Sequence, residues 1–212
     1  MSDNKFMKKF ILVVAILAIM AASQAFADTL NLTTLPVVQA NGYYVGAIGG
    51  NINGGTTANY YCDDFATASY VPSSFTVLVS TLSNISGTKF ISQTNALQKY
   101  QQVGWLMYEM SINPTKVADI QFAMWSVFTP NVPTYGDSAA WLDASTKINA
   151  SSYDFSKMRI YTPTSTTNQE FVGGSVTAAP EPAEWALIII GLGLMTYSLY
   201  RNRARGTIMI RV

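Results

Sequence analysis

The sequence has no histidine and only one cysteine among its 212 residues. The first absence removes Ser-His-Asp and Cys-His nucleophile machinery and imidazole-ligated zinc. The second excludes an internal disulfide, so the fold must stand on packing alone. Charge is scarce as well: Asp, Glu, Lys and Arg together make 12% of the chain, about half the usual share in a soluble domain. Between Asp28 and Ala179 six basic residues face nine acidic ones, with no basic run. That balance argues against nucleic acid as a partner, because phosphate binding needs clustered Lys and Arg. No cofactor and no metal are expected. Asp63-Asp64 supplies far fewer oxygens than the roughly six that calcium takes, and two adjacent carboxylates ordinarily mark a solvated turn.

What is abundant is apolar sequence at both ends. Lys5, Lys8 and Lys9 precede an uncharged run from Phe10 to Ala22, and Ala25-Phe26-Ala27 places small side chains where a signal peptidase reads. Residues 1–27 thus have the form of a secretory signal, cleaved before Asp28. At the other end Pro180-Glu181-Pro182 leads into Trp185 and an apolar run from Ala186 to Tyr200, closed by Arg201, Arg203 and Arg205. Interfacial aromatics followed by arginines predict a single C-terminal transmembrane helix, with the middle of the chain outside the cytoplasm. Pro180-Glu181-Pro182, a Trp, a short Gly-containing helix and terminal arginines resemble the PEP-CTERM sorting signal. The resemblance implies handling by an exosortase-type membrane enzyme. It also implies initial anchoring at the inner membrane and final placement at the cell surface or in an exopolysaccharide matrix.

The middle, residues 28–172, reads as one α+β domain with an N-terminal antiparallel β region, two to three central helices and returning C-terminal strands. Val37-Val38, Tyr43–Val45, Tyr60-Tyr61 and Phe75–Val79 are β-branched or aromatic runs, and Gly49-Gly50-Asn51 and Asn53-Gly54-Gly55 read as breaks between them. Leu97, Tyr100, Gly104 and Tyr108 recur at helical spacing, predicting a helix that ends near Ser111. A second helix is expected from an Asn113 cap with Pro114 in its first turn, stopping before Pro130, and a third from Asp137. Met158–Tyr161 and Gln169–Val172 are expected strands. Residues 173–179 are expected to be a linker, 180–205 the sorting segment and 206–212 a tail.

Two residues need a chemical account. Cys62 is a lone thiol on an exported chain, where oxidation threatens it. Gln121 is a primary amide on or beside the apolar stripe of the second helix, where an unpaired polar group is costly. A cysteine sulfur that attacks a glutamine side-chain carbonyl expels ammonia and leaves an internal thioester, a stored electrophile that an amine or hydroxyl opens. Tyr60, Tyr61, Phe65, Trp105, Phe122 and Trp125 are candidate walls against water, and Asp64 a candidate orienting group.

Tyr61-Cys62 and the apolar–Gln–x–Ala–apolar–Trp element Ile120–Trp125 resemble the thioester domains of bacterial surface adhesins. The resemblance implies a covalent adhesin with Cys62 and Gln121 as the bond, acting on an amine- or hydroxyl-bearing surface ligand or polysaccharide rather than as a turnover enzyme. Three other readings stand beside it. Cys62 is a small core side chain in an inert matrix module; Cys62 links two copies by a disulfide; or Asp63 works with Asp119 or Glu109 as a hydrolytic carboxylate pair.

Overall fold

The structure, a computed structural model, describes residues 27–179 and 182–205. The proposed signal peptide up to residue 26, Pro180, Glu181 and the 206–212 tail lie outside the described residues.

Six strands close into an antiparallel barrel: β1 (Asp28–Thr34), β4 (Ile48–Ile52), β5 (Ala58–Cys62), β6 (Ser73–Ser80), β8 (Arg159–Pro163) and β9 (Phe171–Gly173). They follow each other around the barrel in the order β1-β4-β5-β9-β8-β6. A hairpin of β2 (Val38–Ala40) and β3 (Tyr43–Val45) stands beside it, and β7 (Tyr153–Asp154) pairs with β10 (Thr177–Ala178). The helices are α1 (Ala96–Ile112), α2 (Val117–Phe128), α3 (Ser138–Thr146) and the C-terminal α4 (Pro182–Arg205), with a 3-10 turn, Pro114–Lys116, between α1 and α2. The α+β expectation holds.

Register explains the two cores. Leu30 pairs with Phe75 and Ile52, Tyr161 with Phe171, and Phe171 with Cys62. Directly opposed residues point to the same side of a sheet, so these side chains form one lining inside the barrel. The alternate residues Tyr61, Val172 and Ile160 are likewise in register. They point outward and pack with Tyr100, Leu106, Met110, Ile120, Met124 and Phe128 of α1 and α2. Strand β1 is buried at alternate positions, whereas β9 is buried throughout, because only β5, β9 and β8 are covered on both faces. Gly104 lets α1 approach: a Cβ there would sit 2.6 Å from Met158 Sδ.

α2 is buried on nearly every side, as its almost wholly apolar sequence demands. Ile120, Met124 and Phe128 face the helical core, while Phe122 and Trp125 reach into the barrel lining. The helix therefore closes the barrel beside the β2–β3 hairpin, and Gln121 is carried to the boundary between the two cores.

Several expectations are corrected. Gly49-Gly50-Asn51 is no break but the middle of β4, where a Cβ on Gly50 would lie 2.4 Å from the Asn31 carbonyl oxygen; glycine is there for close strand approach. Asn113 does not cap α2. Its side chain turns back to the carbonyl and carboxylate of Glu109 and closes α1. Asp137 makes no cap bond either, and pairs with Lys116. The 173–179 linker belongs partly to the domain, since Gly173 is in β9 and Thr177–Ala178 forms a strand with Tyr153–Asp154.

The transmembrane expectation fails. A helix does form at α4, but no helix among the described residues is long and apolar enough to cross a membrane. The apolar run from Ala186 to Tyr200 rises only about 22 Å at 1.5 Å per residue, against a hydrocarbon core of about 30 Å. Gly191, Gly193, Thr196 and Ser198 dilute it further, and Glu184, Arg201, Arg203 and Arg205 flank it.

Candidate functional site

β5 ends at Cys62 with its side chain directed into the barrel. The chain then turns through Asp63 and Asp64, held by an Asp64 carboxylate that accepts the Ala66 N–H at 3.0 Å. The Cys62 thiol donates to the Asp64 carbonyl at 3.1 Å. Burial pushes this thiol well up from its ordinary value and the nearby Asp63 and Asp64 carboxylates add to the shift, while the Asp64 backbone contact opposes it. A buried, protonated thiol of this kind is a poor target for oxidants and bulk alkylating agents. It is also badly placed for a disulfide between copies, with 5% of its surface exposed.

Gln121 comes from α2 to the same place. Its Nε2 donates to the Cys62 carbonyl at 2.7 Å, and its Oε1 accepts the Gly46 N–H at 3.3 Å. The amide is 1% exposed. Gly46 has φ +98°, and a Cβ there would lie 2.6 Å from Val117 Cγ1. Only glycine turns the chain out of β3 so that this N–H meets the glutamine carbonyl.

Cys62 and Gln121 both line one cavity of about 360 Å³, walled by Tyr43, Tyr44, Phe65 and Trp125 and edged by Thr67, Ser69 and Gln169. Tyr43, Phe65 and Trp125 form a triangle, with ring centroids 5.2, 5.2 and 5.8 Å apart. No lining residue carries a formal charge. The Trp125 Nε1 is buried without a hydrogen-bond partner. Trp125 and Cys62 line the same cavity.

The expected residues are thus only partly assembled. Cys62, Gln121, Phe65 and Trp125 share the cavity, and Asp64 touches Cys62 through its backbone, not its carboxylate. Tyr61 faces the other way, into the helical core, because successive strand residues alternate. Trp105 is also elsewhere, packed near Trp141 and bonded to Tyr153. The residues the sequence left unmarked are Gly46, Tyr43 and Gln169. The strand runs Val37-Val38 and Tyr43–Val45 are legible in the sequence, but nothing local says that they pair as a hairpin and fold over α2.

Asp63-Asp64 is not a solvated turn: both residues are fully buried. The carboxylate pairs imagined for hydrolysis are not assembled, since Asp119 pairs with Lys116 and Glu109 with Asn113. Among the described residues no group of acidic, cysteine or histidine side chains could hold a metal ion.

No protein-family profile matches the chain, and no curated protein does. Among solved structures it is similar to the N-terminal thioester domain of a surface protein from Clostridium perfringens, at 17% identity and TM-score 0.46, covering 70% of this chain and 99% of that one. It is similar also to the N-terminal thioester domain of the fibronectin-binding protein SfbI from Streptococcus pyogenes, at 10% identity and TM-score 0.42, covering 76% and 97%. A third is the N-terminal domain of the Streptococcus pyogenes pilus tip adhesin Cpa, at 12% identity and TM-score 0.40, covering 76% and 97%.

Proposed function

We propose that this chain is an exported surface protein of the adhesin kind, in which Cys62 and Gln121 join as an internal thioester that captures an amine on another molecule. One observation carries the reading: the Gln121 amide is clamped at the cavity floor beside Cys62, its nitrogen on the Cys62 carbonyl and its oxygen on the Gly46 N–H.

The chemistry follows from that clamp. The Cys62 sulfur attacks Cδ of Gln121 as its proton passes to Nε2. Negative charge gathers on Oε1, where the Gly46 N–H already points. The Cδ–Nε2 bond breaks and ammonia leaves. Aromatic rings over the cavity keep water from the product. An incoming amine then attacks the same carbon, forms an amide with Gln121 and returns the thiol to Cys62. An amine is favoured over a hydroxyl because the chain has no histidine and the cavity lining no carboxylate to serve as general base. Export is attributed to residues 1–27 and surface sorting to an exosortase-type enzyme reading Pro180-Glu181-Pro182.

Intact mass of the purified chain under denaturing conditions tests the bond. The thioester form is lighter than the processed sequence by one ammonia, and methylamine adds its own mass to that form at Gln121. An unchanged mass with a free thiol at Cys62 returns the domain to an inert binding module. The sorting reading is tested separately, by replacing Pro180-Glu181-Pro182 with alanines and following surface display.

A further inference from the structure

The cavity over Cys62 and Gln121 is neutral, although two acidic residues follow Cys62 directly in sequence. Asp63 and Asp64 are fully buried and neither lines it. Asp64 is paired with Lys89, whose Nζ also donates to Thr67 Oγ1 at 2.8 Å on the cavity edge. Glu170 is buried too, and is taken up by Tyr100, the Lys89 N–H and Thr162. With Cys62 held in a thioester, no lining group among the described residues can take a proton from an incoming ammonium or balance its charge.

The neutral edge has hydrogens to spare. Thr67 Oγ1 accepts from Lys89 and Ser69 Oγ accepts the Gln169 N–H at 2.9 Å, so each keeps its own hydroxyl hydrogen. Gln169 Nε2 gives one hydrogen to the Asp64 carbonyl at 2.8 Å and has a second. An ammonium offers three donors and no acceptor, so it can use none of these hydrogens. The oxygens of a sugar can. Tyr43, on the same cavity, keeps 41% of its surface exposed and gives an apolar ring for the C–H face of such a ligand.

We infer that the amine captured here is carried by a sugar, a 2-amino-hexose unit of a polysaccharide, and not by a lysine side chain. The inference rests on the thioester reading.

The missing base explains the choice. Carbons bearing oxygen withdraw electrons from a neighbouring amine and make it a weak base. Its pKa falls near that of an α-amino group, about 7.7–8.0, against about 10.4 for lysine. At pH 7 roughly one such amine in ten is unprotonated, compared with about one lysine in 2,500. The free lone pair attacks Cδ of Gln121 and the Cδ–S bond breaks. The proton shed by the nitrogen ends on the Cys62 sulfur, so one amide and one thiol form and nothing else is consumed. The cavity, about 360 Å³, lies in the range that holds small ligands.

Competition among three amines tests this on the purified full chain, with adducts counted by intact mass at pH 7. The probes are methyl 2-amino-2-deoxyglucoside, glycinamide and Nα-acetyllysine amide; glycinamide has a comparably weak amine but no sugar ring. The aminoglucoside should add at least about tenfold faster than the lysine probe, the free-base advantage being partly offset by lower nucleophilicity. It should also add several-fold faster than glycinamide. In Tyr43→Ala that lead over glycinamide should disappear, a ratio in which any general opening of the cavity cancels; an undiminished lead overturns the part given to the ring. Equal or faster capture of the lysine probe overturns the inference. So does glycinamide adding as fast as the aminoglucoside, which leaves basicity alone in charge and points to a peptide amino terminus. A chain with no ammonia deficit before any amine is added sinks the thioester reading itself, a result distinct from a deficit with the wrong preference.

Discussion

The side-chain nitrogen of Gln121 donates to the carbonyl oxygen of Cys62 at 2.7 Å across 59 positions of sequence. The contact brings the end of a barrel strand and the middle of a buried helix together, at the floor of a cavity with no charged lining. In the proposed thioester chemistry the amide nitrogen is the leaving group, and the contact holds it at the backbone of Cys62.

Replacing Gln121 with alanine leaves the Gly46 N–H and the Cys62 carbonyl without their partners. Each unsatisfied buried group costs about 1–3 kcal/mol, so the urea midpoint should fall accordingly. The mass deficit of one ammonia should disappear. Gln121→Glu should lose that deficit too while filling the same space.

Gly46→Ala should be more damaging than its size suggests. A side chain at φ +98° is strained, and its Cβ would press on Val117 at 2.6 Å. A loss of about 1–3 kcal/mol is expected, with slower thioester formation because the oxyanion donor moves. Gly42→Ala, also at positive φ but with nothing within 4 Å, should leave thioester formation unchanged. Comparing the two separates strain from site geometry, read by denaturation and time-resolved mass spectrometry.

Tyr43 packs on Phe65, Phe122 and Trp125 yet keeps 41% of its surface exposed. Tyr43→Ala should cost only about 1 kcal/mol, the scale of lost ring pairs. It should open the cavity, so that both hydrolysis and methylamine capture run faster in stopped reactions followed by mass.

Acid buried at Asp63 gives stability a sign. Its pKa is raised above the ordinary 3.8, burial being the main cause. The native state therefore holds a proton that the unfolded chain releases. Its contribution is fully present below about pH 3.8 and is lost as pH rises toward the folded value. Denaturant midpoints measured from pH 5 to pH 8 should fall with rising pH through this group. Asp63→Asn should flatten that slope, and an unchanged slope would show that another group sets it.

The β-branched run Phe75–Val79, the helical spacing of Leu97, Tyr100, Gly104 and Tyr108, and the turn at Asn53-Gly54-Gly55 are local properties, and the structure follows them. Gly49-Gly50-Asn51 misled because a glycine pair means a turn or a close strand approach, and only the neighbour, here β1, decides which. The same holds for Asn113 and Asp137, whose side chains had better partners than a helix cap. For α4, apolar character was visible but its total was too small.

Composition alone determined that no histidine chemistry and no internal disulfide operate here, because those exclusions need only a count. The residue types of a Cys–Gln pair were visible as well. Tertiary structure decided that the two meet, that Gly46 rather than Tyr61 completes their site, and that Asp63 is sealed without a partner. Those outcomes depend on how a barrel, a hairpin and a helix close on one another. Such closure is set by contacts between distant residues, and period and propensity carry no record of it.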